Sequence, residues 1–249
     1  MKFSIGFLAL LLIAACVPGI AQDEGAAATP PPEVYTGNFA FGLALTGGNT
    51  DTRSYNLSFE VTRDPKLKNV VKADGFYLRS STDGDATADT LKLGIRDDYA
   101  LSSRVSVYGA LGYLRDPFRD ITYLINPQGG LGFKIYNTDA LDLALSGGAG
   151  GVWEKNSGMD VNTSGTVNAG ETFSYKLSEN ATLAQNFAAL WKTSDFEDAL
   201  YHFDVGIAAS IVKNFGVKVE FRDDYKNVTP SPSIKKNDTA FITGVQYKF

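Results

Sequence analysis

His202, the only histidine of the chain, stands two positions before Asp204, and this pair is the first candidate for chemistry. A hydrolase needs a nucleophile, a base and an orienting group within hydrogen-bond reach of one another. Residues two apart on a strand lie side by side on one face, so His202 and Asp204 could simply hydrogen-bond. Serines are plentiful, but none stands in a recognisable nucleophile setting. We therefore predict no catalytic residue, with catalysis by His202 as the rival interpretation.

A repeated tetrapeptide, Arg-Asp-Asp-Tyr, is the second candidate and occupies residues 96–99 and 222–225. In each copy the Arg and the second Asp would share a strand face, where a guanidinium can bind a carboxylate through two hydrogen bonds. The structural interpretation is a recurrent strand end with its Tyr in an aromatic girdle, and the functional one is a ligand site. We favour the strand end.

Neither a cofactor nor a metal site is predicted. A single Cys excludes a site built on several thiolates and also excludes a disulfide framework. Asp83, Asp85 and Asp89 could hold calcium at the surface, but we interpret them as a solvated acidic loop. No glycine loop has the setting of a phosphate cradle. The net charge of -5 argues against a nucleic-acid partner, which needs a basic footprint.

The elements that carry these residues have the pattern of β-strands. From Tyr35 onward apolar and polar residues alternate, and the odd-numbered positions are mostly apolar. Residues 236–249 show this most clearly, with Val245, Tyr247 and Phe249 on one side. A soluble domain rarely ends in such a strand because the edge stays unpaired, whereas closure of an outer-membrane barrel pairs the last strand with the first.

About twelve such runs predict an all-β fold for residues 35–249: a closed antiparallel transmembrane β-barrel of up-and-down topology in the bacterial outer membrane. Pro127 predicts a β-bulge within its strand. Short turns alternate with longer polar connections, which favours a barrel over a soluble sandwich. The longer connections are predicted at residues 47–51, 80–89, 115–120, 154–160, 193–199 and 226–237.

The start of the chain has the layout of an export signal. Residues 1–21 combine Lys2, an apolar run and small residues before Gln22, so we predict a signal peptide cleaved there. Cys16 also fits the pattern for lipid attachment, so it is either lipidated or discarded with the signal peptide. Residues 22–34 are then a disordered periplasmic lead-in, because their Ala and Pro content cannot join a strand ladder.

If the odd positions face lipid, the even positions place charges of both signs inside the barrel. Eight strands leave an interior filled by side chains and 16–18 leave an open channel, so about twelve fall between these cases. The inward charges are then either the lining of a narrow channel for small polar or ionic solutes or pairs that bridge and close the lumen. The predicted pore lining is Arg96, Asp98, Lys134, His202, Asp204, Lys218, Glu220, Arg222 and Asp224.

Two stretches resemble a known family. Residues 43–53, LALTGGNTDTR, and residues 97–104, DDYALSSR, are similar to the salt-induced outer membrane proteins, YdiY-like. The resemblance implies an outer-membrane β-barrel of Gram-negative bacteria whose molecular role is not established. It brings no catalytic or binding residues with it.

The sequence as a whole predicts a monomeric, porin-like barrel that is not an enzyme and that passes solutes or serves the envelope under osmotic or salt stress. Its predicted partners are outer-membrane lipid and, through the C-terminal strand ending at Phe249, the barrel-assembly machinery. The alternatives are an outer-membrane enzyme of the lipase or protease kind and a structural or adhesive barrel that acts through its outer loops.

Overall fold

A computed structural model describes residues 34–46 and 52–249, so the predictions for the signal peptide, for Cys16 and for nearly all of the lead-in lie outside the described residues. Within them the chain forms a barrel of twelve strands: β1 Tyr35–Thr46, β2 Thr52–Arg63, β3 Asn69–Thr82, β4 Asp85–Ala100, β5 Val105–Asp116, β6 Ile121–Asn137, β7 Leu141–Asn156, β8 Val161–Lys176, β9 Ala181–Lys192, β10 Asp195–Val212, β11 Phe215–Lys226 and β12 Asn237–Lys248.

Each strand pairs in antiparallel fashion with its neighbours in the sequence, and β12 pairs with β1 to close the sheet. We call the end where β1 starts and β12 finishes the terminal end, and the opposite end the far end. At the terminal end the closure is made by two backbone hydrogen bonds. The amide of Gly37 donates to the carbonyl of Phe249, and the amide of Phe249 donates to the carbonyl of Gly37. The rings of Phe39 and Phe249 stack there at 5.7 Å. The predicted fold class is therefore confirmed.

The alternation of side chains decides which face is which. Phe41, Leu43, Ile95, Ile207 and Val245 point outward and are between 46% and 58% exposed. Their even-numbered neighbours point inward, as Ala40 and Gln246 do at 5% and 2% exposure. A continuous apolar exterior on a closed sheet is the arrangement that spans a bilayer, because every backbone group of a closed barrel can be paired. In the described residues no helix has the length and apolarity to cross a membrane.

Several connections predicted as long polar loops are largely strand. Of residues 80–89 only Asp83 and Gly84 lie outside β3 and β4, and of residues 193–199 only the two residues before Asp195 lie outside β9 and β10. Asp83 and Gly84 have φ angles of +51° and +91°. Two successive residues with positive φ make the tight hairpin turn that suits the twist of antiparallel strands, for which Asp-Gly is a preferred sequence. The longer loop predicted at 226–237 is present between β11 and β12.

The bulge predicted at Pro127 is wrong. Opposite β7 the register is continuous past Pro127, and it shifts instead between Ile121 and Tyr123 and between Lys134 and Tyr136. The first shift turns Ile121, predicted to face lipid, into the barrel, where it is fully buried. There it packs with Leu124 and Val152, and Leu114 and Leu200 pack against these three side chains. In the described residues this is the only cluster of buried apolar side chains.

Candidate functional site: the barrel lumen

The inward-facing charges meet across the lumen. Lys92 on β4 donates from Nζ to both carboxylate oxygens of Asp224 on β11, at 2.5 and 2.7 Å. Since β4 and β11 are not neighbours in the sheet, this ion pair crosses the interior. The side chains of Lys92 and Asp224 are only 20% and 16% exposed. A pair so shielded attracts more strongly than one at the surface, although both ions had to be desolvated to form it.

His202 lies beside this pair and links it to Asp204. Its Nδ1 is 2.8 Å from Asp224 Oδ1, and its Nε2 is 3.0 Å from Asp204 Oδ1. Asn186 donates to the other oxygen of Asp204 at 2.9 Å. Both ring nitrogens of His202 therefore have carboxylate partners, which leaves neither free to act as a base toward a hydroxyl. His202 is therefore part of the ionic network of the lumen.

Arg222 and Phe76 form a second contact across the lumen. The guanidinium carbon of Arg222 on β11 lies 3.8 Å from the ring centroid of Phe76 on β3, which is a close cation–π contact. Arg222 also donates to Glu220 at 3.0 Å, and Lys218 approaches the other oxygen of Glu220 at 2.7 Å. The side chain that crosses to Arg222 is thus an aromatic residue on the inward face of β3.

We define the lumen gate as Phe76, Lys92, Arg222 and Asp224, since these four side chains meet from β3, β4 and β11. Phe76 and Lys92 are direct cross-strand partners. Phe76 is 7% exposed, whereas Asp74, one inward position nearer the terminal end, is exposed. On β3 the inward side chains are exposed up to the gate, at Lys72 and Asp74, and we call this part of the lumen the vestibule.

Beyond the gate is a cavity of about 320 Å³ toward the far end, and its lining contains no charged side chain. Leu78 and Ser80 line it from β3, immediately after Phe76 in the inward series. The rest of the lining is supplied by Leu43, Ser54, Asn56, Thr87, Ala88, Thr239, Ala240, Phe241, Ile242 and Thr243.

The two copies of the repeated tetrapeptide make different contacts. Arg96 binds Asp98 through two hydrogen bonds of 2.8 Å and lies 3.7 Å over the ring of Tyr108. In the other copy Arg222 binds Glu220, while Asp224 binds Lys92. The first copy is thus a local strand pair, as predicted, and the second belongs to the lumen gate. Lys134, also predicted to line a pore, is exposed near the terminal end and is not part of either group.

The other side of the far end is closed by a buried ionic cluster. Glu154 on β7 accepts hydrogen bonds from Lys192 on β9, at 2.5 Å, and from Lys226 on β11. Lys192 also donates to Asp198 at 2.5 Å. The side chains of Glu154, Lys192 and Lys226 are at most 4% exposed. Together with Asp198 and the apolar cluster around Ile121, these three residues form what we call the far-end plug.

Sequence reasoning missed the plug because it assigned Glu154 and Lys226 to loops. The alternation carried a usable signal: extending it beyond Trp153 places Glu154 and Asn156 inward, on the same face as Val152. Phe76 was missed for another reason, since an aromatic residue inside a polar lumen breaks the expected alternation of apolar outside and polar inside. The sequence of β3 contains no pattern that predicts the contact of Phe76 with Arg222.

The calcium site considered for Asp83, Asp85 and Asp89 is not assembled. Asp89 is bound instead by Arg79 and by Arg115, each at 3.1 Å. Over residues 34–46 and 52–249 the structure brings together no group of three or more His, Cys, Asp or Glu side chains that could hold a metal ion.

Comparison with known proteins places the chain in a family. The family model described as "Protein of unknown function, DUF481" matches residues 39–249, so the chain belongs to this family. A search of curated proteins finds no match. The family description assigns no function, and the salt-induced naming suggested by the sequence resemblance is not part of it.

Two solved structures are similar in fold. The NanC porin shares 10% sequence identity at a TM-score of 0.52, over 86% of this chain and 100% of that chain. The COG4313 outer membrane channel from Pseudomonas putida F1 shares 13% identity at a TM-score of 0.50, over 92% of this chain and 100% of that chain. The chain therefore has the fold of bacterial outer-membrane barrels, and at these identities the likeness shows the fold alone.

Proposed function

We propose that this member of the DUF481 family is a narrow channel of the bacterial outer membrane for small polar or ionic solutes, closed in the present conformation by its lumen gate. The observation that carries the proposal is the position of the gate. Along the inward face of β3 the series runs from the exposed Lys72 and Asp74, past the buried Phe76, to Leu78 and Ser80 of the cavity. Removing one constriction would connect two existing spaces.

The chemistry of the gate suits a closure that can be released. A packed apolar core excludes water and ions permanently, whereas an ion pair can exchange its partner for a permeating ion. Lys92 and Asp224 are 20% and 16% exposed, so this pair is less enclosed than the far-end plug. Glu154 and Lys192 of the far-end plug are at most 2% exposed and belong to the fixed structure.

The barrel geometry supports the same function. Twelve strands enclose a wider interior than the eight whose side chains just fill it. The charges lie inside, where they avoid a cost of about 2–4 kcal/mol for a basic side chain at the bilayer midplane. The exterior is apolar. A barrel that served only as a membrane anchor would have no need for a vestibule that ends at a charged constriction.

The gate also offers a physical basis for a role of the barrel under osmotic or salt stress. Dissolved salt screens charges over about 10 Å at 0.1 M and about 3 Å at 1 M. Screening weakens pairs that water reaches more than pairs in a dry interior. We therefore include in the proposal that high salt favours the open gate, which would couple solute passage to external osmolarity.

Single-channel recording in planar bilayers tests this function. The double variant Lys92→Ala/Asp224→Ala removes both members of the ion pair that crosses the lumen, so neither of these two ions is left unpaired. We expect steps of steady conductance with a higher open probability than in the natural protein. We also expect the open probability of the natural protein to rise with KCl concentration beyond the proportional rise in conductivity.

The matched control is Lys66→Ala/Asp64→Ala, which removes an ion pair of 2.8 Å from the turn between β2 and β3, outside the lumen. This variant should behave like the natural protein. Heat-modifiable migration in gels confirms that each barrel is folded. Folded barrels that stay silent in both the natural protein and the gate variant, at low and high salt, would rule out the channel.

A further inference from the structure

The seam between β1 and β12 is unlike every other seam of the barrel. Its pairing runs only from the backbone hydrogen bonds between Gly37 and Phe249 to Phe41↔Val245. Every other neighbouring pair of strands has at least ten partner positions, the shortest being β4 with β5. In the described residues β1 continues to Thr46 and β12 begins at Asn237, so both strands extend well beyond the point where their pairing stops.

Two glycines mark the place where the strands part. A Cβ on Gly42 would overlap the carbonyl oxygen of Thr243, and a Cβ on Gly244 would lie 2.5 Å from the carbonyl oxygen of Phe41. Only glycine permits such an approach, so the two strands pack closely at the last level of their ladder. Beyond this level the pairing stops while both strands continue.

The unpaired part of the seam lies in the apolar zone of the barrel. Leu43 and Phe241 flank it on the outside and are 56% and 72% exposed. Leu43 is the cross-strand partner of Tyr55, whose ring packs against Tyr77 at 6.0 Å. Backbone groups without partners cost several kcal/mol each in hydrocarbon, so irregular edges at this depth are tolerated where they line a cavity.

Such a cavity is present behind the seam. The 320 Å³ space beyond the lumen gate is lined by Leu43 and Phe241 at the seam and by Ser54 and Ser80 on the lumen side. The two serine hydroxyls bond to each other at 2.8 Å. The space thus joins the lipid face to the lumen. Its lining is partly alkyl and aromatic and partly hydroxyl and amide, with no charged side chain.

We propose that the β1–β12 seam admits the alkyl chain of an amphipathic molecule with an uncharged polar head from the bilayer into this cavity. The volume falls at the lower limit of about 300–1,000 Å³ for small-molecule sites, which fits one chain and a small head. The apolar lining receives the chain, and the hydroxyl and amide groups bond the head. A charged head would find no counterion there. This site does not depend on conduction through the gate, because it is entered from lipid.

Cysteine labelling from within the bilayer tests the site. In a Cys16→Ser background, Ala240→Cys places a thiol on the cavity wall. The matched control Ala188→Cys places one on the lumen face of β9, opposite His202, where both neighbouring seams are fully paired. Ile207→Cys on the lipid face reports the maximal rate. The probe is N-dodecylmaleimide dissolved in the vesicle membrane around the refolded barrel.

We expect Ala240→Cys to be labelled at a rate close to that of Ile207→Cys. We expect no labelling of Ala188→Cys. Ser80→Cys on the opposite wall should behave like Ala240→Cys, which guards against a local effect of one substitution. Monododecanoylglycerol, which has an uncharged head, should slow labelling of both cavity thiols, and dodecyltrimethylammonium should not. Cavity thiols as unreactive as Ala188→Cys, beside a labelled Ile207→Cys, would overturn the proposal. Equal competition by the charged amphiphile would overturn the assignment of the head.

The labelling result and the conductance result are separable. A silent barrel whose cavity thiols are labelled would reject the channel and keep the lateral site. A conducting barrel whose cavity thiols stay unreactive would keep the channel and reject the lateral site.

Discussion

The side-chain amide of Asn126 donates a hydrogen bond of 2.7 Å to the backbone carbonyl of Gly151. The register between β6 and β7, set by Ile125↔Trp153 and Gln128↔Gly150, places Gly151 opposite Pro127. Proline has no backbone N–H to offer that carbonyl. The Asn126 side chain thus stands in for the missing ladder bond, which explains how a proline is accommodated inside a central strand without the bulge predicted from the sequence.

Replacing Asn126 should therefore weaken the barrel. Asn126→Leu leaves the Gly151 carbonyl without a partner at a site that is 6% exposed, and we expect a loss of about 1–3 kcal/mol in the free energy of unfolding. Urea titration of the refolded protein in lipid measures this loss. Adding Pro127→Val restores an N–H at the position, so the double variant should recover part of it. The control Asn214→Ala, in an exposed turn, should change little, and an equal loss there would contradict this account.

Three inward charges on β11, Lys218, Glu220 and Arg222, should set the ion selectivity of the channel once the gate is open. Arg222→Ala or Lys218→Ala removes a positive charge from the lumen and leaves Glu220 with a single partner. In the Lys92→Ala/Asp224→Ala background we expect the reversal potential in a KCl gradient to shift toward cation selectivity. Lys66→Ala, at the mouth of the barrel, should shift it less. An unchanged reversal potential in both lumen variants would show that ions do not pass these three side chains.

Much of this architecture follows from alternation alone. The period of two places Arg96, Asp98, His202, Asp204 and Asp224 on the lumen face without any structural information. Alternation fails where the register slips, as at Ile121, because one extra residue turns the following side chains to the other face. It also does not show where a strand ends, since polar residues that leave the bilayer and polar residues that line the lumen look alike in sequence.

Contacts between distant strands are the part that alternation does not reach. Lys92 and Asp224 are 132 positions apart and meet because barrel closure and strand tilt bring β4 opposite β11. A small change of stagger would give Lys92 another partner. The lining of a conducting pore, the assembly contact through Phe249 and the monomeric state stay predictions.

His202 should have no hydrolytic role. Both of its ring nitrogens contact carboxylates, at 2.8 and 3.0 Å, so we expect neither ester nor peptide hydrolysis by the refolded barrel above the rate of an unfolded sample. A panel of chromogenic esters and a fluorogenic peptide library measures this. Hydrolysis that is lost in His202→Ala and kept in Lys66→Ala would refute the expectation and favour the enzyme alternative.

Removing a single charge from the far-end plug should cost more free energy of unfolding than removing one from any other ionic group of the lumen. Glu154→Leu leaves Lys192 with only Asp198 and deprives Lys226 of its sole recorded carboxylate partner within the described residues, with both ammonium groups buried. Removing one partner of a buried ion pair costs about 3–5 kcal/mol, mainly because the other charge stays desolvated. We expect that loss in the free energy of unfolding, measured by urea titration, and a negligible loss for Glu197→Gln on the exposed part of β10.

A companion variant separates charge from packing at the plug. Glu154→Leu/Lys192→Met/Lys226→Met replaces the three most buried charged side chains by apolar ones of similar length and leaves only Asp198, which is 15% exposed, without its partner Lys192. Well-packed apolar replacements of buried ion networks are often neutral or stabilising. The triple variant should therefore regain most of the stability lost in Glu154→Leu. If it is as unstable as the single variant, packing around Ile121 and Val152 rather than charge pairing holds the far end together.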